Sequence, residues 1–393
     1  MQREVVIVSA VRTAIGSFGG SLKDIAPTEL AAHVTREALA RARVGTGEVG
    51  HVVFGHVINT EPKDLYLARV AAVRAGIAHA TPALTVNRLC GSGLQAIVSA
   101  AQAILLGDAD IAVAGGAENM SRAPHLSSGM RWGTRMGDAS LVDMLTGALT
   151  DPFDGDHMGG TAENVAEHYG ITRADQDALA AESHRRAADA IAAGYFNEQI
   201  VPVTLPSRKG PVIFATDEHV RPGTSPEKLG EMRPVFRKDG TVTAGNASGI
   251  NDGAAALVLM ERGLAEQRGL QPLARLVSYA HAGVDPRYMG IGPVPATRTA
   301  LQRAGLSMAD IDVIEANEAF AAQACAVARE LGLDPDRVNP NGSGIGLGHP
   351  IGATGAVISV KALYELQRRG GRYALATMCI GGGQGIAAIF ERI

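Results

Sequence analysis

Cysteine is scarce in this sequence of 393 residues. The three cysteines, Cys90, Cys325 and Cys379, are odd in number and lie far apart along the chain. This pattern excludes a disulfide framework and matches no zinc-binding spacing. We therefore expect reduced thiols and a cytoplasmic location.

Aromatic residues, long apolar runs and excess basic charge are also lacking. Aromatics make up only 4% of the chain, so the core must rest on aliphatic side chains. The net charge of −4 argues against nucleic-acid binding, which needs a clustered basic surface. No run of 18 apolar residues occurs, so we expect no transmembrane helix. The first residues, MQREVVIVSAVRT, predict a strand and lack the apolar stretch and cleavage site of a signal peptide.

Glycine, by contrast, is abundant. The chain holds 48 glycines, about 12% of its residues against an average of about 7%. They cluster, which indicates tight turns and close backbone contacts rather than a flexible linker. The length predicts two or three domains at roughly 100–200 residues each.

Short β-branched or alanine-rich runs alternate with longer helical patterns. This alternation is typical of an α/β fold, and near-continuous apolar runs are typical of buried parallel strands. The runs are Glu4–Ser9, Val52–Phe54, Ile111–Gly115, Asp312–Glu315 and Tyr373–Met378.

Two segments near opposite ends of the chain align without gaps. Residues 36–54, REALARARVGTGEVGHVVF, match residues 298–316, RTALQRAGLSMADIDVIEA. Each predicts a helix, a short turn and a strand, although similar composition contributes to the match. We interpret the repeat as two related α/β halves.

The segment between these halves, from about Glu118 to Asn251, is richer in Gly, Pro, Met and Arg. It contains one clear helix, which begins at a capping box of Thr172 and Asp175 and stops at Gly194. An insertion over the face of an α/β core commonly forms a substrate lid or binding loop.

Cys90 lies in the segment NRLCGSGLQAIVSA, where an apolar strand ends near Val86 and a helix follows. A helix N-terminus favours the thiolate through its dipole and its free N–H groups. Gly91 and Gly93 are expected to permit a sharp turn and a close approach of substrate. The pattern is that of a nucleophile elbow with cysteine in place of serine. The alternative is a small buried apolar residue, as most lone cysteines are.

Three further segments contain candidate reactive groups. In NGSGIGLGHPIGATG, which lacks the lysine of a P-loop, we expect a loop that exposes His349 as a base; the alternative is a structural histidine. In MCIGGGQG, Cys379 lies at the start of a turn whose backbone N–H groups could bind an oxyanion. The alternative is an ordinary strand-to-helix turn with no catalytic role. In EANEAFAAQ, Asn317 and Glu318 lie between a strand and a helix, where Asn317 could instead be a helix cap.

Together these segments resemble the thiolase family almost from end to end. The motifs, in order, are VRTAIGSFGG, NRLCGSG, GGAENMS, TAGNASGINDGAAA, NEAFAAQ, GHPIGATG and CIGGG. The stretches TEPKDLYLARVAA and NEAFAAQACAV are most similar to the broad-chain-length β-ketothiolases of polyhydroxyalkanoate-forming bacteria. The resemblance implies an acyltransferase that works through an acyl-cysteine. It would reversibly condense acetyl-CoA with a short acyl-CoA, or cleave 3-ketoacyl-CoA with coenzyme A.

For the fold, the resemblance implies two βαβαβαββ halves in a five-layer αβαβα core with an inserted loop domain. The N-terminal half would comprise residues 1–118 and 251–270, the inserted coenzyme A-binding domain residues 119–250, and the C-terminal half residues 271–393. Family members are typically homotetramers, built as dimers of dimers. Coenzyme A is substrate and product, and no permanently bound cofactor, metal, nucleic acid or membrane is expected.

The resemblance also implies roles for individual residues. Cys90 takes the acyl group, His349 takes the proton of Cys90, and Cys379 moves the proton at the α-carbon of acetyl-CoA. Asn317 positions a water that forms one oxyanion hole with His349, and the N–H groups of Cys90 and Gly381 form the other. The residues that line the coenzyme A site and its acyl end are His157, Met158, Arg221, Phe236, Ala244, Ser248, Met289 and Phe320.

Two finer expectations concern the substrate. The 3′-phosphate of coenzyme A needs cations, and Arg221, Arg208 and Lys209 are candidates. The alternative for Arg208 and Lys209 is that they are ordinary charged surface residues. Acyl chain length would depend on the pocket around residues such as Tyr66, Met289 and Ile351.

Three alternative functions fit the sequence less well. A β-ketoacyl synthase pairs its cysteine with two histidines, or with His and Asn, whereas Cys379 occupies one of these positions here. A non-catalytic lipid-binding relative is expected to lack at least one of Cys90, His349 and Cys379. A nucleotide-binding oxidoreductase is disfavoured because the GxGxxG match at residues 45–50 follows a helix and precedes a strand.

Overall fold

The computed structural model describes residues 3–393, whose centre is one large mixed sheet with helices on its faces. The strands are β1 Val5–Arg12, β2 Gly16–Ser17, β3 His51–Gly55, β4 Ala83–Val86, β5 Ile111–Asn119, β6 His125–Leu126, β7 Val142–Asp143, β8 Val203–Leu205, β9 Val212–Phe214, β10 Asn251–Glu261, β11 Ala274–Gly283, β12 Val313–Ala316, β13 Tyr373–Ile380 and β14 Gln384–Glu391. The helices are α1 Pro27–Ala42, α2 Leu67–Arg74, α3 Ser92–Leu106, α4 Met144–Ala148, α5 Met158–Tyr169, α6 Arg173–Ala192, α7 Pro226–Gly230, α8 Arg262–Gln267, α9 Pro293–Ala304, α10 Ala321–Leu331, α11 Gly344–Leu347 and α12 Ile351–Arg369.

The large sheet has the strand order β12-β13-β14-β11-β1-β10-β5-β3-β4. Strands β3, β4 and β5 pair in parallel, as do β12 and β13, whereas the central pairs are antiparallel. Within residues 3–393, strands of the two halves of the sheet pair with each other only where Val6 pairs with Arg275 and Ile7 with Ala274. The expectation of parallel strands therefore holds only for the outer part of each half.

Helices α3 and α12 form the middle of five layers. They pack against each other, and each contacts strands of both halves of the sheet. Helices α1 and α2 cover the outer face of the N-terminal half, and α9, with α10 beside it, covers that of the C-terminal half. The expected αβαβα arrangement is confirmed.

The stretch Leu89–Leu106, which contains α3, has a mean hydropathy of 1.6 and is by length and composition apolar enough to cross a membrane. Its packing against strands of both halves of the sheet accounts for most of this composition, while Gln95, Ser99 and Gln102 form a polar stripe on the remaining face.

The internal repeat corresponds to equivalent elements. The pair α1 and β3 is matched by α9 and β12, each a helix, a turn and a strand. Beyond β3 the sheet continues with β4, and beyond β12 it continues with a parallel bridge between Ile314 and Val338. The interpretation of two related α/β halves agrees with this arrangement.

The segment between β5 and β10 contains more helix than the sequence predicted. Helix α6 begins at the capping box of Thr172 and Asp175, as expected. Helix α5 was missed, because Gly159 and Gly160 in its first turn weaken the helical pattern. A buried ion pair between Arg12 and Asp217, 2.7 Å apart, ties this segment to β1.

Candidate active site

Cys90 follows β4 and directly precedes the N-terminus of α3. The turn is made by Leu89, whose φ of +44° lies in the left-handed region, an unfavourable conformation that costs on the order of 1–3 kcal/mol. The expectation that Gly91 supplies the turn is wrong, because its φ is −79°. A methyl group on Gly91 would lie 2.6 Å from the Ile380 side chain, and one on Gly93 would lie 2.6 Å from the Ala356 nitrogen. These glycines therefore permit close packing around the cysteine.

Burial dominates the electrostatics of Cys90. It raises the pKa of this thiol to about 11, while the backbone N–H groups of Gly381 and of Cys90 itself lower the pKa in part. Desolvation therefore outweighs the effect of the helix N-terminus, which was expected to favour the thiolate. The resting group is a thiol that needs a base.

His349 is buried and not exposed on a loop, in contrast to the expectation. Its backbone N–H donates to the Asn251 side chain at 2.9 Å, and its Nδ1 lies 2.6 Å from Thr354 Oγ1. Because the Thr354 hydroxyl donates to the Pro350 carbonyl, it must accept from Nδ1–H. This network leaves the lone pair on Nε2. Burial lowers the pKa of His349 to about 4, so the ring is neutral near pH 7.

Asn317 faces that free nitrogen. Its Nδ2 donates to His349 Nε2 over 3.5 Å. The alternative of helix capping is excluded, because α10 has Phe320 at its N-cap position and no side-chain cap. Glu318 lies beneath, where it accepts from the Ser183 hydroxyl at 2.5 Å and from Asn339 at 3.0 Å.

Cys379 and Gly381 belong to a β-hairpin. Strands β13 and β14 pair antiparallel, and Gly382 and Gly383, with φ of +80° and +83°, turn the chain between them. The alternative of a strand-to-helix turn is wrong. Burial raises the pKa of Cys379 above the ordinary range, and the charge of nearby Cys90 adds to this.

A cavity of about 470 Å³ leads to this group of side chains, with His349 and Ile351 in its wall. Ile351 also belongs to the apolar cluster against which Cys90 packs. Of the side chains expected around coenzyme A, the cavity is lined by His157, Arg221, Phe236, Ala244, Ser248 and Phe320. The rings of His157 and Phe236 stack with centroids 4.8 Å apart.

The other expected residues fall into two groups. Met158 and Met289 are buried in one apolar cluster with Cys379 and Phe320. Arg208 and Lys209 are exposed between β8 and β9, and Tyr66 is 66% exposed, so none of these three lines the cavity.

Sequence reasoning missed several side chains in the cavity wall, among them Ser17, Phe18, Leu149, His219 and Val235. Phe18 lies within the VRTAIGSFGG motif, and this motif was the one sequence signal that could have placed Phe18 in the site. His219 stacks over His184 with ring centroids 6.1 Å apart, and burial lowers the pKa of both to about 4.

Comparison with protein families agrees with this geometry over nearly the whole chain. The family model described as "Thiolase, N-terminal domain" matches residues 5–263, and "Thiolase, C-terminal domain" matches residues 270–392. The chain belongs to the thiolase family. The prediction of an acyltransferase that makes or breaks a carbon–carbon bond in acyl-CoA thioesters is thereby confirmed.

Relatives over the full length support this assignment. The thiolase is 72% identical to the β-ketothiolase BktB of Cupriavidus necator, with 100% of both chains covered. It is 54% identical to the acetyl-CoA acetyltransferase of Pseudomonas aeruginosa, with 99% of this chain and 100% of the relative covered.

Solved structures agree as well. The Bacillus anthracis acetyl-CoA acetyltransferase superposes with a TM-score of 0.98 at 50% identity, covering 100% of this chain and 99% of the other. The human mitochondrial 3-ketoacyl-CoA thiolase in complex with CoA superposes with a TM-score of 0.96 at 45% identity, covering 100% of this chain and 98% of the other.

Proposed function

We propose that this thiolase acts through an acyl-cysteine at Cys90, with His349, Cys379 and Asn317 as its catalytic partners. The observation that carries the proposal is the convergence of these residues from separate segments beside one cavity, whose wall contains His349 and Ile351. Asn317 is hydrogen-bonded to His349, Cys90 packs against the apolar cluster that contains Ile351, and the charge of Cys90 raises the pKa of Cys379.

In the first half-reaction, His349 Nε2 takes the proton of the Cys90 thiol. The thiolate attacks the thioester carbonyl, and the N–H groups of Cys90 and Gly381 stabilise the oxyanion. The carbon–sulfur bond to coenzyme A then breaks, and the departing thiolate takes the proton from His349. Covalent catalysis splits one difficult exchange into two easier steps.

In the second half-reaction, neutral His349 takes the proton of the Cys379 thiol, and the Cys379 thiolate takes a proton from the α-carbon of acetyl-CoA. Its burial makes this thiolate a strong base. The resulting enolate attacks the acyl group on Cys90, a carbon–carbon bond forms, and Cys90 leaves as a thiolate that takes the proton from His349. The Asn317 Oδ1 is buried without a hydrogen-bond partner among residues 3–393, which suits the positioning of a water beside His349.

Coenzyme A would enter along the cavity wall formed by residues 119–250, with Arg221 as the cation near its phosphates. Met289 and Ile351 would limit the acyl chain to short linear groups. The relationship to a β-ketothiolase supports a role in polyhydroxyalkanoate or fatty acid metabolism. A cytoplasmic location suits the need for two reduced thiols.

A homotetramer built as a dimer of dimers is supported by two exposed apolar features. The edge strand β4 has one free side, and Leu84 on it is 45% exposed. The loop around β6 and β7 exposes Trp132 and Met136 by 89% and 94%. An unpaired strand edge and a large apolar patch both favour association with another copy.

The acyl-cysteine is tested most simply by mass spectrometry. Incubation with acetyl-CoA should leave an acetyl group on the peptide that contains Cys90, and Cys90→Ala should abolish it. Cys325→Ala is the matched control, since this half-buried cysteine lies in α10 and should not affect labelling. Acetylation that persists in Cys90→Ala would contradict the proposal.

A further inference from the structure

Glu118, from the GGAENMS motif, has no part in the chemistry above, yet its carboxylate is fully buried at the end of β5. It accepts three backbone hydrogen bonds. Two come from Val57 and Ile58 after β3, both at 3.1 Å, and one from Gly352 in the first turn of α12, at 2.9 Å. The His56 ring nitrogen Nδ1 lies 3.3 Å from the same carboxylate.

These hydrogen bonds hold two segments that flank the nucleophile. Gly352 follows closely on His349, so its backbone fixes the start of the helix beyond the base. Ile58 and Ile351 belong to the apolar cluster against which Cys90 packs, so this cluster forms an apolar wall at the acyl site. One carboxylate therefore controls the backbone on both sides of the reacting atoms.

Backbone contacts around Glu118 leave little room for adjustment. A methyl group on Gly55 would lie 2.6 Å from the Gly93 nitrogen and 2.7 Å from the Gly352 carbonyl oxygen. A methyl group on Gly116 would also collide with that carbonyl. A displaced Gly352 would therefore displace α3, and with it Cys90.

We propose that Glu118 is a positioning residue that aligns His349 with Cys90 and fixes the apolar wall at the acyl site. The proposal rests on the roles proposed above for these two residues. A carboxylate can accept all three N–H groups, whereas a glutamine amide has one acceptor oxygen and turns its NH₂ group toward at least one of them. Burial is the main cause of the raised Cys90 pKa, and the charge of Glu118 adds to it.

The test compares Glu118→Gln with Glu163→Gln. Glu163 is a matched control, because it is also buried and accepts backbone N–H groups of Thr241 and Val242, away from Cys90. For Glu118→Gln we expect kcat of acetoacetyl-CoA cleavage to fall about 10- to 100-fold with KM little changed, as misplaced catalytic groups produce. Alkylation of Cys90 by iodoacetamide should slow as well, because the buried thiol needs an aligned His349 to take its proton. The Glu163→Gln variant should keep kcat near that of the wild type.

Two results would overturn the proposal. One is a kcat of Glu118→Gln close to that of Glu163→Gln. The other is a loss of turnover with alkylation of Cys90 at the wild-type rate, which would show that His349 is still aligned with Cys90. If circular dichroism shows that Glu118→Gln does not fold, Glu118→Asp replaces it, with the same lower kcat expected because its carboxylate is one methylene short of Gly352. An inactive wild type would instead contradict the proposed function itself.

Discussion

At the scale of single residues, the proposed active site depends on groups kept neutral by burial. Cys90 is a thiol because desolvation outweighs the helix N-terminus, and His349 is an uncharged base because desolvation disfavours its cation. The nucleophile is therefore activated only when the base lies beside it.

The pH dependence of turnover tests the state of His349. Only its neutral form can take the proton, and its pKa is lowered to about 4. We therefore expect kcat/KM to stay nearly constant as the pH falls from 7 to about 5 and to decline only toward 4. Half-loss near 6.5, the ordinary value for histidine, would contradict the assignment.

The same shift affects stability with a definite sign. A folded-state pKa below the unfolded value means that the unfolded chain binds the proton more readily. The stability from neutral His349 is present above pH about 6.5 and is lost as the pH falls toward 4. Urea unfolding across this range should show a lower free energy of unfolding at the acidic end.

At the scale of elements, close packing of α3 on α12 fixes the nucleophile. Gly93→Ala would place a methyl group 2.6 Å from the Ala356 nitrogen. We expect this substitution to cost about 1–3 kcal/mol of stability, as overpacked cores do, and to lower kcat by moving Cys90. Gly47→Ala is the control, because nothing lies within 4 Å of its added methyl. Equal thermal unfolding of the two variants would contradict this account.

The inserted segment depends on its buried ion pair with β1. The side chains of Arg12 and Asp217 are both fully buried, so Asp217→Ala leaves an unpaired cation. We expect a loss of about 3–5 kcal/mol in the free energy of unfolding. The exposed pair of Arg185 and Asp189 provides the contrast, and Asp189→Ala should cost less than about 1 kcal/mol. Denaturant titration of both variants measures the two losses in the free energy of unfolding. Losses of similar size would contradict the importance of the buried ion pair.

At the scale of the whole molecule, the single tryptophan reports on assembly. Trp132 is 89% exposed in one chain, beside other exposed apolar side chains. If this loop is covered in a homotetramer, tryptophan emission should shift to longer wavelength on dilution, together with a fall in mass by sedimentation. Emission typical of exposed tryptophan at all concentrations would contradict coverage at this site.

The sequence predicted the architecture better than the electrostatics. Strand runs, the repeat and the capping box at Thr172 are local patterns, so their structures could be anticipated. The left-handed Leu89, the hairpin after Cys379 and helix α5 could not, because their local patterns are misleading. Leucine disfavours a positive φ, a glycine turn can lead into a helix as well as a strand, and Gly159 and Gly160 weaken the pattern of α5. The motifs predicted which residues converge, whereas the protonation of Cys90 and His349 depends on burial that only the folded chain reveals.

The central claim is tested most directly by the coenzyme A-dependent cleavage of acetoacetyl-CoA and 3-ketovaleryl-CoA, measured for wild type and Cys90→Ala. We predict that the wild type cleaves both substrates and that the substitution abolishes both activities while the fold is retained. The ratio of the two rates would then define the preference for chain length. Failure of a well-folded wild type to cleave either substrate, or unchanged cleavage by Cys90→Ala, would contradict the account.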